Sequence, residues 1–96
     1  MLLSSSQRAK LRGLANTMPV VLYIGKDGIN DATIKEVYDL LNAKELIKCA
    51  VQRNAPLSAK EACEIICEKQ GAVPVQVIGS KFIIYRRNEK EPKIEI

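Results

Sequence analysis

Two glycines three apart, Gly25 and Gly28 in the stretch YIGKDGIN, follow a run of β-formers and precede a helical pattern. A strand that feeds a helix through a short glycine turn presents unpaired backbone N–H groups at the positive end of the helix dipole, which favours an anion. Glycine lets a phosphate approach the main chain with no Cβ in the way and permits positive φ. Lys26 between them adds a point charge to the same anion. The alternative is that the glycines only turn the chain, and the GxxG spacing alone does not separate the two readings.

The distribution of charge tilts the balance toward a polyanion. The net charge is +4. Residues 1–26 hold Arg8, Lys10, Arg12 and Lys26 and no acid, whereas residues 27–78 hold six basic and eight acidic side chains. The last eighteen residues return to an excess of two positive charges, with Lys81, Arg86 and Arg87 on and beside the final strand. Positive charge therefore gathers at both ends of the chain, and the middle reads as ordinary solvated helix faces. A nucleotide-binding P-loop and a dinucleotide fingerprint both need glycine patterns that are absent here. The GxxG loop instead resembles the backbone-clamping loop of KH-type RNA modules. The aromatics are Tyr23, Tyr38, Phe82 and Tyr85. With Tyr38 expected in a core stripe, they are too few for a broad base-stacking platform, so the grip should fall on backbone and shape.

The elements that must hold this loop are legible from caps and periodicity. Ser4 with Gln7 forms a capping-box pattern ahead of Leu11, Leu14 and Ala15, which predicts a helix over about residues 5–16 with Arg8 and Arg12 flanking its apolar stripe. Pro19 closes the connection. Val20 to Ile24 is a β-branched run without alternation, as expected of a central strand covered on both faces. Asn30 is placed to cap a helix carrying Ile34, Val37, Tyr38 and Leu41 and ending near Lys44. Leu46 to Val51 reads as a second strand. Ser58 with Glu61 opens a third helix, with Ala59, Ala62, Cys63 and Ile66 inward and Gly71 as terminator. Val73–Ile78 and Phe82–Arg86 read as two strands joined tightly at Gly79 and Ser80. The order α-β-α-β-α-β-β implies an α/β fold with a four-stranded mixed sheet. Residues 88–96 alternate charge with apolar residues around Pro92 and are expected to be loosely held.

Ninety-six residues suffice for one domain. No apolar run approaches the ~20 residues of a membrane helix, and the expected location is the cytoplasm. Three cysteines without CxxC spacing, Cys49 in a strand and Cys63 and Cys67 on one side of a helix, suit free core thiols. Histidine is absent, which removes the usual zinc partner, the catalytic triads and the commonest general base.

Several segments together resemble one family. The opening SSSQRAKLRGLANTMPVVLYIGKDGIN, ELIKC at residues 45–49, GAVPVQVIGSKFIIYRR at 71–87 and the ending PKIEI are similar, in this order and over nearly the whole chain, to the CRM domain in its small stand-alone bacterial YhbY-like form. The resemblance implies a single RNA-binding domain over residues 1–96, with a fold similar to the C-terminal domain of translation initiation factor three. It also implies association with ribosomal RNA in precursors of the large subunit and a part in ribosome assembly. The family's functional loop falls on Gly25, Lys26, Asp27 and Gly28, and its basic first helix on Arg8, Lys10 and Arg12. The basic end of its last strand falls on Arg86 and Arg87, with Lys81 beside the hairpin. Asp27 departs from the small or basic residue common in the family; an acid there repels phosphate unless it turns outward or caps the next helix.

The expected protein is thus a non-enzymatic RNA binder, monomeric, with no cofactor, metal, small-molecule substrate or membrane partner. Main-chain amides at the mouth of the second helix and cations from both chain ends should form a single cradle. Lys26 and Gly28 are expected to lie in an exposed loop where substitution leaves the fold intact. An alternative is a protein-interaction adaptor that docks a partner through an exposed apolar surface including the PKIEI end. A third reading, an enzyme using Asp27, Asp31 or Glu36, is disfavoured because carboxylates at a helix start usually cap it or complement its dipole.

Overall fold

Three reciprocal caps fix where the helices begin in the computed structural model, which describes residues 2–96. Ser4 Oγ accepts the Gln7 N–H at 3.1 Å while Gln7 Oε1 accepts the Ser4 N–H at 3.0 Å, opening α1 (Ser5–Ala15). Asn30 and Thr33 do the same for α2 (Asp31–Lys44), and Ser58 and Glu61 for α3 (Ala59–Gln70). Each such cap is worth about 1 kcal/mol. The strands are β1 (Leu22–Ile24), β2 (Leu46–Val51), β3 (Val73–Ile78) and β4 (Lys81–Tyr85).

They form one mixed sheet in the order β1-β2-β4-β3, with β1 parallel to β2 and the other pairs antiparallel. Helices α2 and α3 cover one face, where Leu22, Ile24, Ile47, Cys49, Phe82 and Ile84 meet Val37, Leu41, Ala62 and Ile66. Helix α1 covers the other face only in part. Its Leu11 and Ala15 pack on Leu46, Val75, Ile83 and Tyr85. All three cysteines are free and buried, and burial first, then the neighbouring Cys63 and Glu36, pushes the Cys49 thiol up to about 12. Among the described residues, no helix is long and apolar enough to cross a membrane.

The element order and the α/β class agree with the sequence reading; four local expectations are corrected. The first strand is an edge strand, not a central one. Its Leu22 and Ile24 enter the core, but α1 lies over β2 and β3 and leaves Tyr23 62% exposed. Tyr38 is exposed rather than in the core stripe, because the buried side of α2 centres on Val37 and Leu41. Leu14, one turn beyond Leu11, is likewise partly exposed. The end of the chain is tied down rather than loose: the Glu45 carboxylate accepts the N–H groups of Asn88, Lys93 and Ile94 at 2.7, 2.6 and 2.7 Å. Ile94 and Ile96 then pack against the α1 side of the core, so the PKIEI end is not a free apolar surface.

Candidate nucleic-acid interface

Parallel pairing of β1 with β2 brings their exits to the same end of the sheet, and the β3–β4 hairpin turns at that end too. The Gln52 N–H donates to Ile24 O at 2.8 Å and the Val51 N–H to Ser80 O at 2.7 Å. Three loops (25–30, 52–58 and 79–80) therefore converge with the N-termini of α2 and α3, the positive ends of two helix dipoles. An open groove of ≈ 900 Å³ runs between them, lined by Tyr23, Ala50, Arg53, Ser58, Ser80 and Lys81.

Within this end, the Gly28 N–H donates to Gly25 O at 3.0 Å and closes a turn around Lys26 and Asp27. Both side chains are exposed, and the Lys26 and Asp27 amides find no backbone acceptor among the described residues. Gly28 sits at φ 66. A Cβ there would lie 3.2 Å from Pro56 Cγ, so this position needs glycine for conformation and for space. Gly28 is thus partly buried and built into the fold, contrary to the expectation that it lies in an exposed loop where substitution leaves the fold intact. At Gly25 a Cβ would meet only the end of the Gln52 side chain. Asn30 Oδ1 accepts the Thr33 N–H at 3.0 Å and fills the cap of α2, so Asp27 does not cap that helix. Glu61 is held below the usual carboxylate range by its bonds with Ser58 at the α3 cap.

The candidate cations divide between two ends of the sheet. Lys26 and Lys81 lie at the loop end. Arg86 and Arg87 lie at the other, because β4 runs back from Lys81 past Tyr85, a separation of roughly 17 Å at ~3.3 Å per residue. There the Arg86 guanidinium is spent on the fold. Nη1 donates to Gln70 O at 2.9 Å and Gln70 Oε1 at 3.1 Å, Nη2 to Asn42 Oδ1 at 2.9 Å, and the charge sits 5.0 Å from the Tyr38 ring centre. It complements the negative ends of α2 and α3. Arg87 lies beside Glu89 at 3.7 Å. On α1, about 100° per residue sets Arg8 and Arg12 on one flank and Lys10 on the other, where its Nζ donates to Glu95 O. Below Arg12 on the same flank, Asn16 lines a small hollow with Lys48, Gln76, Ile78, Lys81 and Ile83. The single cradle fed from both chain ends is therefore not formed: the loop end collects cations from the first half, the middle and the hairpin, and the far end is separate.

A model of the CRS1 / YhbY (CRM) domain matches residues 3–86. The chain belongs to the CRM family. It is 30% identical over 95 residues to the Bacillus subtilis protein named "Probable RNA-binding protein YqeI", covering 99% of both chains. It is 32% identical over 94 residues to a Haemophilus influenzae protein named "RNA-binding protein", covering 98% of this chain and 94% of that one. The solution structure of the SAV1595 protein from Staphylococcus aureus superposes with a TM-score of 0.81 at 39% identity, covering 99% of each chain.

Two cations of this CRM domain escaped the sequence reading, Lys48 and Arg53. Both lie in the stretch whose summed charge is negative, so regional totals hid them. The signal was strand alternation. Ile47, Cys49 and Val51 point into the core, which turns Lys48 to the other face, and Arg53 lies two residues beyond the end of β2.

Proposed function

We propose that this CRM protein is a non-enzymatic RNA-binding protein that engages ribosomal RNA in precursors of the large subunit and serves their assembly in the cytoplasm. The observation that carries the reading is the convergence at one end of the sheet of two helix N-termini, the open amides of the Lys26–Asp27 turn, and the side chains of Lys26, Arg53 and Lys81. Such an end offers N–H donors and point charges to phosphate oxygens. Relatives named as RNA-binding proteins support the ligand class. The ribosomal assignment rests on the family resemblance.

Binding to ribosomal RNA fragments measured against salt tests the ligand class. Three or so phosphate contacts give a slope of log K against log salt of about −2 to −3, at roughly 0.7–0.9 per contact. Lys26→Glu should weaken binding and reduce that slope by about one, with an unchanged circular dichroism spectrum. A flat salt response ends the electrostatic reading, and unchanged affinity in the variant removes the turn from the site. Crosslinking in cells, with sequencing of the attached RNA, tests the assignment to precursors. Reads should concentrate in large-subunit ribosomal RNA; an even spread over unrelated transcripts overturns it.

A further inference from the structure

Of the four aromatic rings, Phe82 and Tyr85 are fully buried and Tyr38 lies under the Arg86 guanidinium. Tyr23, 62% exposed, stands open on the part of the sheet face that α1 leaves uncovered. The ladder places it in a cross-strand row. Tyr23 stands opposite Ala50, Ala50 opposite Lys81, and Lys81 opposite Ile78. Small and 7% exposed, Ala50 leaves a shallow floor between the ring and the lysine. Lys48 lies on the same face one row further in, and Arg53 and Ser80 border Tyr23 in the groove.

The sign of the charge identifies the occupant. None of the four strands contains an acidic residue, and their two charged residues, Lys48 and Lys81, both stand on this face. An exposed ring in a groove whose charged lining residues, Arg53 and Lys81, are both cations suits a nucleobase with its phosphates: the base stacks through its π-face and the cations take the backbone. A paired base has its faces covered by its neighbours, so the ligand chemistry is that of an unpaired strand.

We propose that Tyr23 stacks one unpaired base of a bound RNA while Lys48, Lys81 and Arg53 hold the adjoining phosphates, so that this face reads single-stranded RNA leading to the Gly25–Gly28 turn. The inference rests on the RNA-binding reading above and goes beyond it by naming the strandedness of the ligand and a residue outside the glycine loop.

The test compares full-length protein and its Tyr23 variants on a short single-stranded RNA and on a blunt duplex of the same sequence. Tyr23→Ala should weaken single-strand binding by about 5- to 150-fold, the range for losing one stacked base, and leave duplex binding unchanged. Tyr23→Phe should retain single-strand affinity, because the ring and not the hydroxyl does the stacking. Short-wave ultraviolet irradiation of the complex should join the RNA to the peptide containing Tyr23. Equal affinity of wild type and Tyr23→Ala for the single strand overturns the inference, as does loss on both RNAs alike. If Lys26→Glu weakens binding and Tyr23→Ala does not, this inference falls and the RNA-binding reading stands. If wild-type protein binds neither RNA, both fall. Unchanged RNA affinity in Tyr23→Ala together with loss of a copurifying protein assigns the face to a protein contact and also overturns it.

Discussion

Tyr85 carries a buried hydroxyl with no hydrogen-bond partner among the described residues, in a ring that is fully enclosed. Burial first, and the nearby Glu45 charge second, raise its pKa and outweigh the Arg87 charge, which acts to lower it. An unpaired buried hydroxyl costs about 1–3 kcal/mol, whereas the ring itself contributes packing against Leu11, Leu46 and Ile83. Tyr85→Phe removes the first and keeps the second, so its urea midpoint should stay level or rise by up to about 1 kcal/mol of stability. A fall of more than about 1 kcal/mol would show that the hydroxyl has a partner. Arg86, by contrast, has four polar acceptors and a ring beneath it. Nothing in a basic YRR ending distinguishes a cation bound for helix ends from one bound for a ligand, since that depends on which acceptors the fold brings within reach.

Glu45 joins three elements from a single position. It ends α2 at φ 65, a left-handed value unusual outside glycine, its carbonyl accepts the Arg86 N–H at 2.9 Å, and its carboxylate holds the chain end. Burial acts to raise its pKa, but the three backbone N–H donors and then the Arg87 charge outweigh it and hold the carboxyl below the usual glutamate range. A lowered folded pKa means that the stabilisation is present above the unfolded pKa and is lost as the pH falls through the folded one. Wild type should therefore lose stability on acidification below the ordinary glutamate range, and Glu45→Gln should flatten that part of the profile while losing about 1–3 kcal/mol at neutral pH. Amide exchange at Lys93 and Ile94 should quicken in the variant. An identical acid limb in both proteins would remove Glu45 from the linkage. No sequence signal announces this clamp, because a glutamate after a helix reads as solvated unless the return of a tail 43 residues later is known.

The molecule as a whole separates its charges by strand direction. If the loop end meets RNA and the far end does not, Lys81→Glu should weaken RNA binding several-fold and reduce its salt slope by about one, while Arg87→Glu should leave both unchanged. Equal losses in the two variants would return the far end to the interface. The layout was legible wherever the information is local. Ser4, Asn30 and Ser58 set the helix starts, Gly71 ends α3 in a left-handed conformation, and the tight Gly79–Ser80 turn marks the hairpin. What was not legible is set by pairing order. That β1 lies at the edge, that Tyr23 is uncovered and that Arg86 lies a sheet's length from Lys26 all follow from the sequence β1-β2-β4-β3 across the sheet, which alternation within one strand does not encode.

Arg86 fastens two helix ends at one pole, and the loops hang from the other. Variants at Arg86 should therefore move the melting temperature and variants of the exposed side chains Lys26 and Lys81 the affinity, each with little trace in the second measurement, which makes the domain a scaffold whose specificity can be retuned without rebuilding its frame.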